Sequence, residues 1–313
     1  MNKIIIIAGP TASGKSAVSV ELAKILDTEI ISADSMQIYK GFDIGTAKIT
    51  PAEMQGVKHY MIDIVSPEKN YSVNDYICDA KKIIKNLHSK NKIPIVSGGT
   101  GLYINSLIYN FDLKEHDSDP SLRKELEELY IEKGGEHLLK ILREFDPETA
   151  DRLHPNNHRR IIRAIEIYKV SGITMTQQIE KTKNTPKEYD VSFFVLNTDR
   201  ERLYDRINKR VDRMLELGLY KEVENLLASG IPQNSTSLQA IGYKEFLGVI
   251  NGSMTENKAA DIIKQESRKY AKRQLTWFRR NEEAVWIDTA DYNDNPLLIA
   301  EHIHHILKEK GTV

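Results

Sequence analysis

The first hundred residues alternate between short apolar runs and longer stretches with helical spacing. Ile4-Ile5-Ile6-Ile7-Ala8 is an unbroken apolar run of strand length, the pattern of a strand buried on both faces. Alanine and branched residues from Ala17 to Leu26 then predict a helix that ends near Asp27. Glu29–Ser32, His59–Ile64 and Ile93–Val96 read as further strands, and Val73–Ser89 reads as a helix. Strands alternating with helices imply an α/β fold, a parallel sheet with helices on both faces. Ligands of such sheets gather at the carboxyl ends of the strands. Three runs end there in polar or glycine-rich turns: Gly9–Ser16, Asp34–Gln37 and Gly98–Gly101.

After about Asn110 the texture becomes helical, introduced by Asp117-Ser118-Asp119-Pro120-Ser121. Leu122, Leu126 and Leu129 form one apolar stripe, Leu138, Leu139, Ile141 and Leu142 a second, and Ile161, Ile162, Ile165 and Ile167 a third. Lys181–Lys187 is a polar linker, and Val191–Leu196 returns to strand character. A helix begins near Thr198-Asp199-Arg200-Glu201 in the style of a capping box, with Leu203, Ile207, Val211, Met214 and Leu215 on one face. Val285–Asp288 reads as a last strand. The expected organisation is a core formed by residues 1–114 and 189–313, interrupted by an all-helical insertion at 115–188.

Gly9-Pro10-Thr11-Ala12-Ser13-Gly14-Lys15-Ser16 matches the G-x-x-x-x-G-K-S phosphate loop, with a strand before it and a helix after it. Glycines let the backbone wrap an anion with its N–H groups, and the helix that follows offers its positive end. Lys15 supplies a charge to the same oxygens, and the Ser16 hydroxyl suits a Mg²⁺. Asp34, at the end of the next strand, reads either as a general base or as an acid that steadies the water around that metal.

Composition changes this picture little. The chain of 313 residues can bury a full core, and 44 basic against 45 acidic residues leave no overall bias. Cys78 is the single cysteine, which excludes an intrachain disulfide and a cysteine-based zinc site. His154 and His158, and the cluster His302, His304 and His305, lack the further ligands a zinc site needs. No apolar run approaches a membrane span, and Met1-Asn2-Lys3 leaves no room for a leader, so a cytoplasmic protein is expected. One segment is strongly biased: Lys264, Arg268, Lys269, Lys272, Arg273, Arg279 and Arg280 are accompanied by a single acid, Glu266. Lys264, Arg268 and Lys272 step by four along one helix face, with Tyr270, Trp277 and Phe278 interleaved. This is either a nucleic-acid contact or a solvated helix whose aromatics belong to the core.

With these blocks assembled, the chain resembles the bacterial tRNA dimethylallyltransferase (tRNA isopentenyltransferase) family over nearly its full length. The resemblance rests on the phosphate loop and on Ile31-Ser32-Ala33-Asp34-Ser35-Met36-Gln37-Ile38-Tyr39, Gly45-Thr46-Ala47-Lys48 and His59-Tyr60-Met61-Ile62-Asp63. It continues through Val96–Tyr103, Asn157–Glu166, Gln239–Glu245 and Tyr270–Arg279. The family's P-loop NTPase-like fold and helical insertion are therefore expected here. So is transfer of a dimethylallyl group from dimethylallyl diphosphate, with Mg²⁺, to N6 of the adenosine immediately 3′ of the anticodon.

The resemblance implies roles residue by residue. Gly9 to Ser16 bind the diphosphate, with Ser16 on the metal. Asp34 is the catalytic base, and Lys15, Thr100 and Arg123 act on the diphosphate or the transferring group. Asp34, Ser35, Met36 and Gln37 contact the flipped adenosine. Asn156, Asn157, His158, Arg159, Arg160 and Arg163 meet the anticodon stem-loop, as do Gln239, Gly242 and Lys244, and Lys272, Arg273, Gln274, Trp277, Phe278 and Arg279. Ser16 replaces the threonine of some members, and Gly101 stands where some carry a larger residue. A monomer is expected. Two rival enzymes share the loop, a small-molecule or nucleotide kinase and a prenyltransferase acting on free adenine nucleotide. An RNA-binding protein with a vestigial loop is the non-catalytic alternative, against which the intact Lys15-Ser16 pair and Asp34 argue.

Overall fold

A computed structural model describes residues 2–109 and 119–313. The chain opens with β1 (Lys3–Ala8), α1 (Lys15–Ile25), β2 (Ile30–Ser32), α2 (Pro51–Met54) and β3 (His59–Tyr60). It continues with α3 (Val73–Ser89), β4 (Ile95–Gly98) and α4 (Gly101–Ile108). Five helices follow: α5 (Pro120–Lys133), α6 (Gly135–Arg143), α7 (Pro147–Arg152), α8 (His158–Ser171) and α9 (Met175–Asn184). The remainder is β5 (Asp190–Asn197), α10 (Arg200–Glu216), α11 (Leu219–Ala228), α12 (Tyr243–Ile250), α13 (Glu256–Phe278), β6 (Val285–Asp288) and α14 (Pro296–Glu309).

Two units result, Met1–Ile108 with Tyr189–Val313, and Tyr109–Glu188. The expected division between residues 114 and 115, like Asp117 and Ser118, lies outside the described residues.

In the first unit, six strands form one parallel sheet in the order β3-β2-β4-β1-β5-β6. The central place of β1 explains its unbroken apolar run. Ile5 and Ile7 pack with Val18 and Leu22 of α1 and with Ile299 and Ile303 of α14. Ile4 and Ile6, on the opposite face, are equally inaccessible. A second core gathers Tyr39, Phe42, Tyr243 and Phe246 with Val211 and Met214 of α10. Beside it, the Glu222 carboxylate accepts the N–H groups of Asp43, Ile44 and Gly45 at 2.7–3.1 Å and the Tyr243 hydroxyl at 2.6 Å. That carboxylate fixes the loop at residues 43–45 without regular secondary structure.

Three elements depart from the expected pattern. The strand at His59 stops at Tyr60, because Met61 and Asp63 take positive φ values of 63° and 55° and bend the chain. The strand expected at Ile93–Val96 begins at Ile95 and runs on to Gly98. Glycine permits this: a Cβ on Gly98 would lie 2.2 Å from the Ala33 carbonyl oxygen. The polar stretch from Lys181 starts as helix, since α9 continues to Asn184.

The second unit is all helical. Leu138, Leu139 and Leu142 of α6 pack with Ile161, Ile162 and Ile165 of α8. Phe145 stacks on Tyr168 with ring centroids 4.0 Å apart.

The close approach at Gly98 generates a stability prediction. Gly98→Ala forces β2 and β4 apart at the end that carries Asp34, and is expected to cost about 1–3 kcal/mol. Urea unfolding reads this as a lower midpoint. A midpoint equal to wild type would mean that the two strand ends can part freely.

Candidate active site

The phosphate loop is closely packed at its start. A Cβ on Gly9 would sit 2.8 Å from the Leu196 carbonyl oxygen. Ala12 and Gly14 take left-handed φ values of 63° and 82°, the kind of turn from which an anion-binding nest is built. The Ala12 side chain packs among Leu203, Ile207, Ala271 and Leu275 of α10 and α13, which offsets an unfavourable backbone conformation for alanine. Ser13 is buried, and Pro10 accepts the Lys15 ammonium at 3.2 Å. Ser16 follows Lys15 in the first turn of α1 and is exposed.

The turns after β2 and β4 are tied to each other. Thr100 donates its N–H to the Ala33 carbonyl, and its Oγ1 accepts the Ser35 N–H, both at 3.0 Å. Asp34 Oδ1 accepts the N–H groups of Met36 at 2.9 Å and Gln37 at 3.3 Å. Oδ2 accepts no hydrogen bond from the described residues. Thr100 thus holds the turn that aims Asp34.

A cavity of about 500 Å³ joins these pieces. Thr11, Lys15 and Ser16 line one side; Asp34, Ser35, Met36 and Gln37, with Ser97 and Gly98, line the sheet end. The remaining wall carries Ile207, Arg210, Val211 and Met214 from α10, Gln239, Ile241 and Lys244 from the segment leading into α12, and Ile263, Tyr270, Arg273 and Gln274 from α13. Burial lowers the Lys15 pKa to about 8, with the charge of Arg210 acting in the same direction and Asp34 opposing both. Burial also lowers the Arg210 pKa, again opposed by Asp34. Tyr270 is pushed up to about 12, by burial first and then by Asp34. Lys15, Arg210 and the Asp34 carboxylate therefore meet in a cavity that Lys244 and Arg273 also line, an arrangement that favours an added anion.

Arg210 was not legible as a site residue. Its signal was an arginine at helical spacing from Leu203 and Ile207, on the edge of the apolar stripe of α10. Its Nη2 donates to the Thr46 carbonyl at 2.9 Å, which anchors the Gly45–Ala47 wall of the cavity.

The basic helix divides by face. Lys264 pairs with Asp212 at 2.5 Å, and Arg268 donates to Asn208 at 2.6 Å, so both are engaged with α10. The expected single face of Lys264, Arg268 and Lys272 thus reduces to Lys272, which is exposed together with Arg273 and Arg279. Phe278 is 1% exposed and packs against Phe193, so it presents no surface to a nucleic acid. Gln274 is also buried. Trp277 lies over Gly101, where a Cβ would be 2.3 Å from the ring; a larger residue there would displace the indole. Gly242 is buried with a φ of 100°, and its N–H donates to Glu245. Gln239 and Lys244 are exposed at the cavity mouth.

In the helical unit, Asn156, Asn157, Arg159 and Arg160 are exposed around the start of α8, and His158 stacks on Tyr130. Arg123 and Arg163 share one oxygen of Glu166, at 2.7 and 2.9 Å. Glu166 is 1% exposed, so its carboxylate fixes both guanidinium groups from beneath.

Fold and cavity together define a P-loop-type α/β protein whose cavity opens at the carboxyl ends of its strands. A family model described as IPP transferase matches residues 37–281, and the chain belongs to that family. It is 46% identical over 299 residues to a protein of Acetivibrio thermocellus named tRNA dimethylallyltransferase, covering 96% of each. It is 44% identical to one of the same name from Lachnoclostridium phytofermentans, over 100% of both. Among solved structures it is similar to the tRNA isopentenylpyrophosphate transferase of Bacillus halodurans, at a TM-score of 0.74, with 43% identity and coverage of 100% of this chain and 99% of that one. It is also similar to a eukaryotic dimethylallyltransferase acting on tRNA, at a TM-score of 0.79, with 30% identity and coverage of 91% and 73%.

The lowered Lys15 pKa generates a pH prediction. Only the charged ammonium attracts an anion, so the Lys15 contribution to inorganic diphosphate binding should be complete well below pH 8 and be lost as the pH rises through about 8. Calorimetric titration across that range reads the change. Affinity that stays constant through it would mean that Lys15 does not contact the ligand.

Proposed function

We propose that this protein transfers a dimethylallyl group from dimethylallyl diphosphate to N6 of the adenosine immediately 3′ of the anticodon in tRNA. The observation that carries this reading is the shared cavity, which brings the phosphate loop, the Asp34 carboxylate and an apolar wall into one space. Ile207, Val211, Met214 and Ile263 suit an isoprenoid chain better than a sugar or a nucleotide. That favours a prenyl donor over the phosphoryl donor of a kinase. We read the protein as a monomer that works on tRNA in the cytoplasm.

The chemistry follows from charge. The N6 lone pair attacks C1 of the dimethylallyl group, the C–O bond to diphosphate breaks, and the N6 proton passes to Asp34. The exocyclic amine is a weak nucleophile because its lone pair is delocalised into the ring. A positioned carboxylate accepting the proton contributes about 10²–10⁴-fold. Lys15, the loop amides and Arg210 hold the charge that develops on the leaving diphosphate. By resemblance, Arg123 adds a further charge to the diphosphate, and Thr100 hydrogen-bonds to the diphosphate or the transferring group; Thr100 also ties down the turn that carries Asp34.

Among the described residues, no group of three or more His, Cys, Asp or Glu could hold a metal alone. The donors fit a Mg²⁺ held by substrate oxygens, water and Ser16. Such an ion supplies further neutralisation of the departing diphosphate.

Reaching a stacked base requires extruding it from the anticodon loop. Ser35, Met36 and Gln37 line the cavity beside Asp34 and are assigned to the extruded adenine. Lys272, Arg273 and Arg279, with Arg159 and Arg160 of the helical unit, are assigned to RNA phosphates.

The reaction is tested with labelled dimethylallyl diphosphate, Mg²⁺ and unmodified tRNA, with AMP and ATP as parallel acceptors. Label at the adenosine next to the anticodon supports the reading, whereas label only in AMP, or phosphoryl transfer from ATP, overturns it. Asp34→Ala is expected to keep tRNA affinity while slowing transfer by about 10²–10⁴-fold. An unchanged rate at saturating substrates would remove Asp34 as the base. Replacing Lys272 and Arg273 with neutral residues should weaken tRNA binding and flatten its dependence on salt by about one unit of slope per lost phosphate contact. A slope identical to wild type would mark that face as merely solvated.

A further inference from the structure

We infer that Gln274, which lies inside a block otherwise assigned to tRNA, is a positioning residue for the phosphate loop. This rests on the reading of that loop as a diphosphate cradle. The Gln274 side chain is 6% exposed and spans two turns that are remote from it in sequence. Its Oε1 accepts the Thr11 N–H at 2.9 Å, and its Nε2 donates to the Gly99 carbonyl at 2.9 Å. The first partner belongs to the phosphate loop and the second to the turn that carries Thr100. A primary amide of this reach is neutral and can accept at its oxygen while it donates from its nitrogen, which is what these two turns require. Gln274 therefore fixes the spacing between the two turns that flank the cavity.

Three further observations support this assignment. Thr11 immediately precedes Ala12, the non-glycine residue of the loop held at a φ of 63°. A left-handed alanine persists only when its surroundings over-determine it, and the bond to Thr11 is one such restraint. Gly99 has no room for a side chain, since a Cβ would lie 2.2 Å from Gln274 Nε2. Finally, Tyr270, Gln274 and Trp277 fall at i, i+4 and i+7 along α13. Tyr270 lines the cavity, Gln274 bonds to Thr11 and Gly99, and Trp277 covers Gly101. One stripe of α13 thus buttresses the phosphate side of the site, while Lys272 stays on the exposed side of the helix and Arg273 is exposed at the cavity rim.

The test measures two affinities separately, inorganic diphosphate by calorimetry and an anticodon stem-loop RNA by filter binding. Gln274→Met preserves size and apolar packing and removes both hydrogen bonds. It is expected to raise the Kd for diphosphate about tenfold, as the loss of a net hydrogen bond or two predicts, with RNA affinity unchanged. In the transfer assay the KM for the prenyl donor should rise with it, and kcat should change less. Gly99→Ala pushes the amide aside from the other direction and should reproduce the effect. In the double variant the two losses should not multiply, because both remove the same contact. Gly99→Ala also decides the matter if Gln274→Met does not fold. Diphosphate affinity equal to wild type in either folded variant overturns the inference. Weakened RNA binding with unchanged diphosphate binding overturns it too, and returns Gln274 to the tRNA surface. Wild-type protein that fails to bind diphosphate at all overturns the phosphate-loop reading on which the inference rests.

Discussion

Everything in the candidate site depends on the electrostatics of one partly enclosed space in which Lys15, Asp34 and Arg210 face one another. Burial costs each cation part of its hydration, and Asp34 returns some of it by attraction. The balance still leaves positive charge in excess, so the resting site is poised for an anion. In the proposed reaction a diphosphate supplies that charge on arrival and keeps it on departure. Under that proposal one arrangement serves binding and leaving-group stabilisation, and Asp34 takes the proton.

Holding three charged groups at fixed separations in a low-dielectric space requires stiff supports, and most of the unit serves that need. The parallel sheet brings the ends of β1, β2 and β4 to one edge. Thr100 ties the β4 turn to the β2 turn, and Gln274 ties it to the phosphate loop. Glu222 and Arg210 secure the loop at residues 43–47 that closes another wall. These are hydrogen bonds from side chains to backbone groups, and they hold irregular segments that have no ladder of their own.

The helical unit uses a related device. Glu166, a buried residue of α8, restrains Arg123 and Arg163 and so presents two guanidinium groups in fixed orientation. Among the described residues no ion pair holds Arg159 or Arg160, the two exposed arginines proposed to meet RNA phosphates.

The amino-acid sequence by itself determined the elements and the chemistry that are encoded locally. The run Ile4–Ala8 specified a central strand, since both faces of such a strand must be apolar. The loop Gly9–Ser16 specified phosphate binding, since its glycines and lysine act within eight consecutive positions. Only the tertiary structure decided which residues meet across long separations. Arg210 reads as one of several arginines on an amphipathic helix until α10 is docked beside Asp34. Lys264 and Arg268 read as a nucleic-acid face until α10 takes them. Phe278 and Gln274 share a block with Lys272 and Arg279, and burial alone separates the inward pair from the outward pair. A helical repeat says which residues share a face, but what that face touches depends on packing between elements remote in sequence.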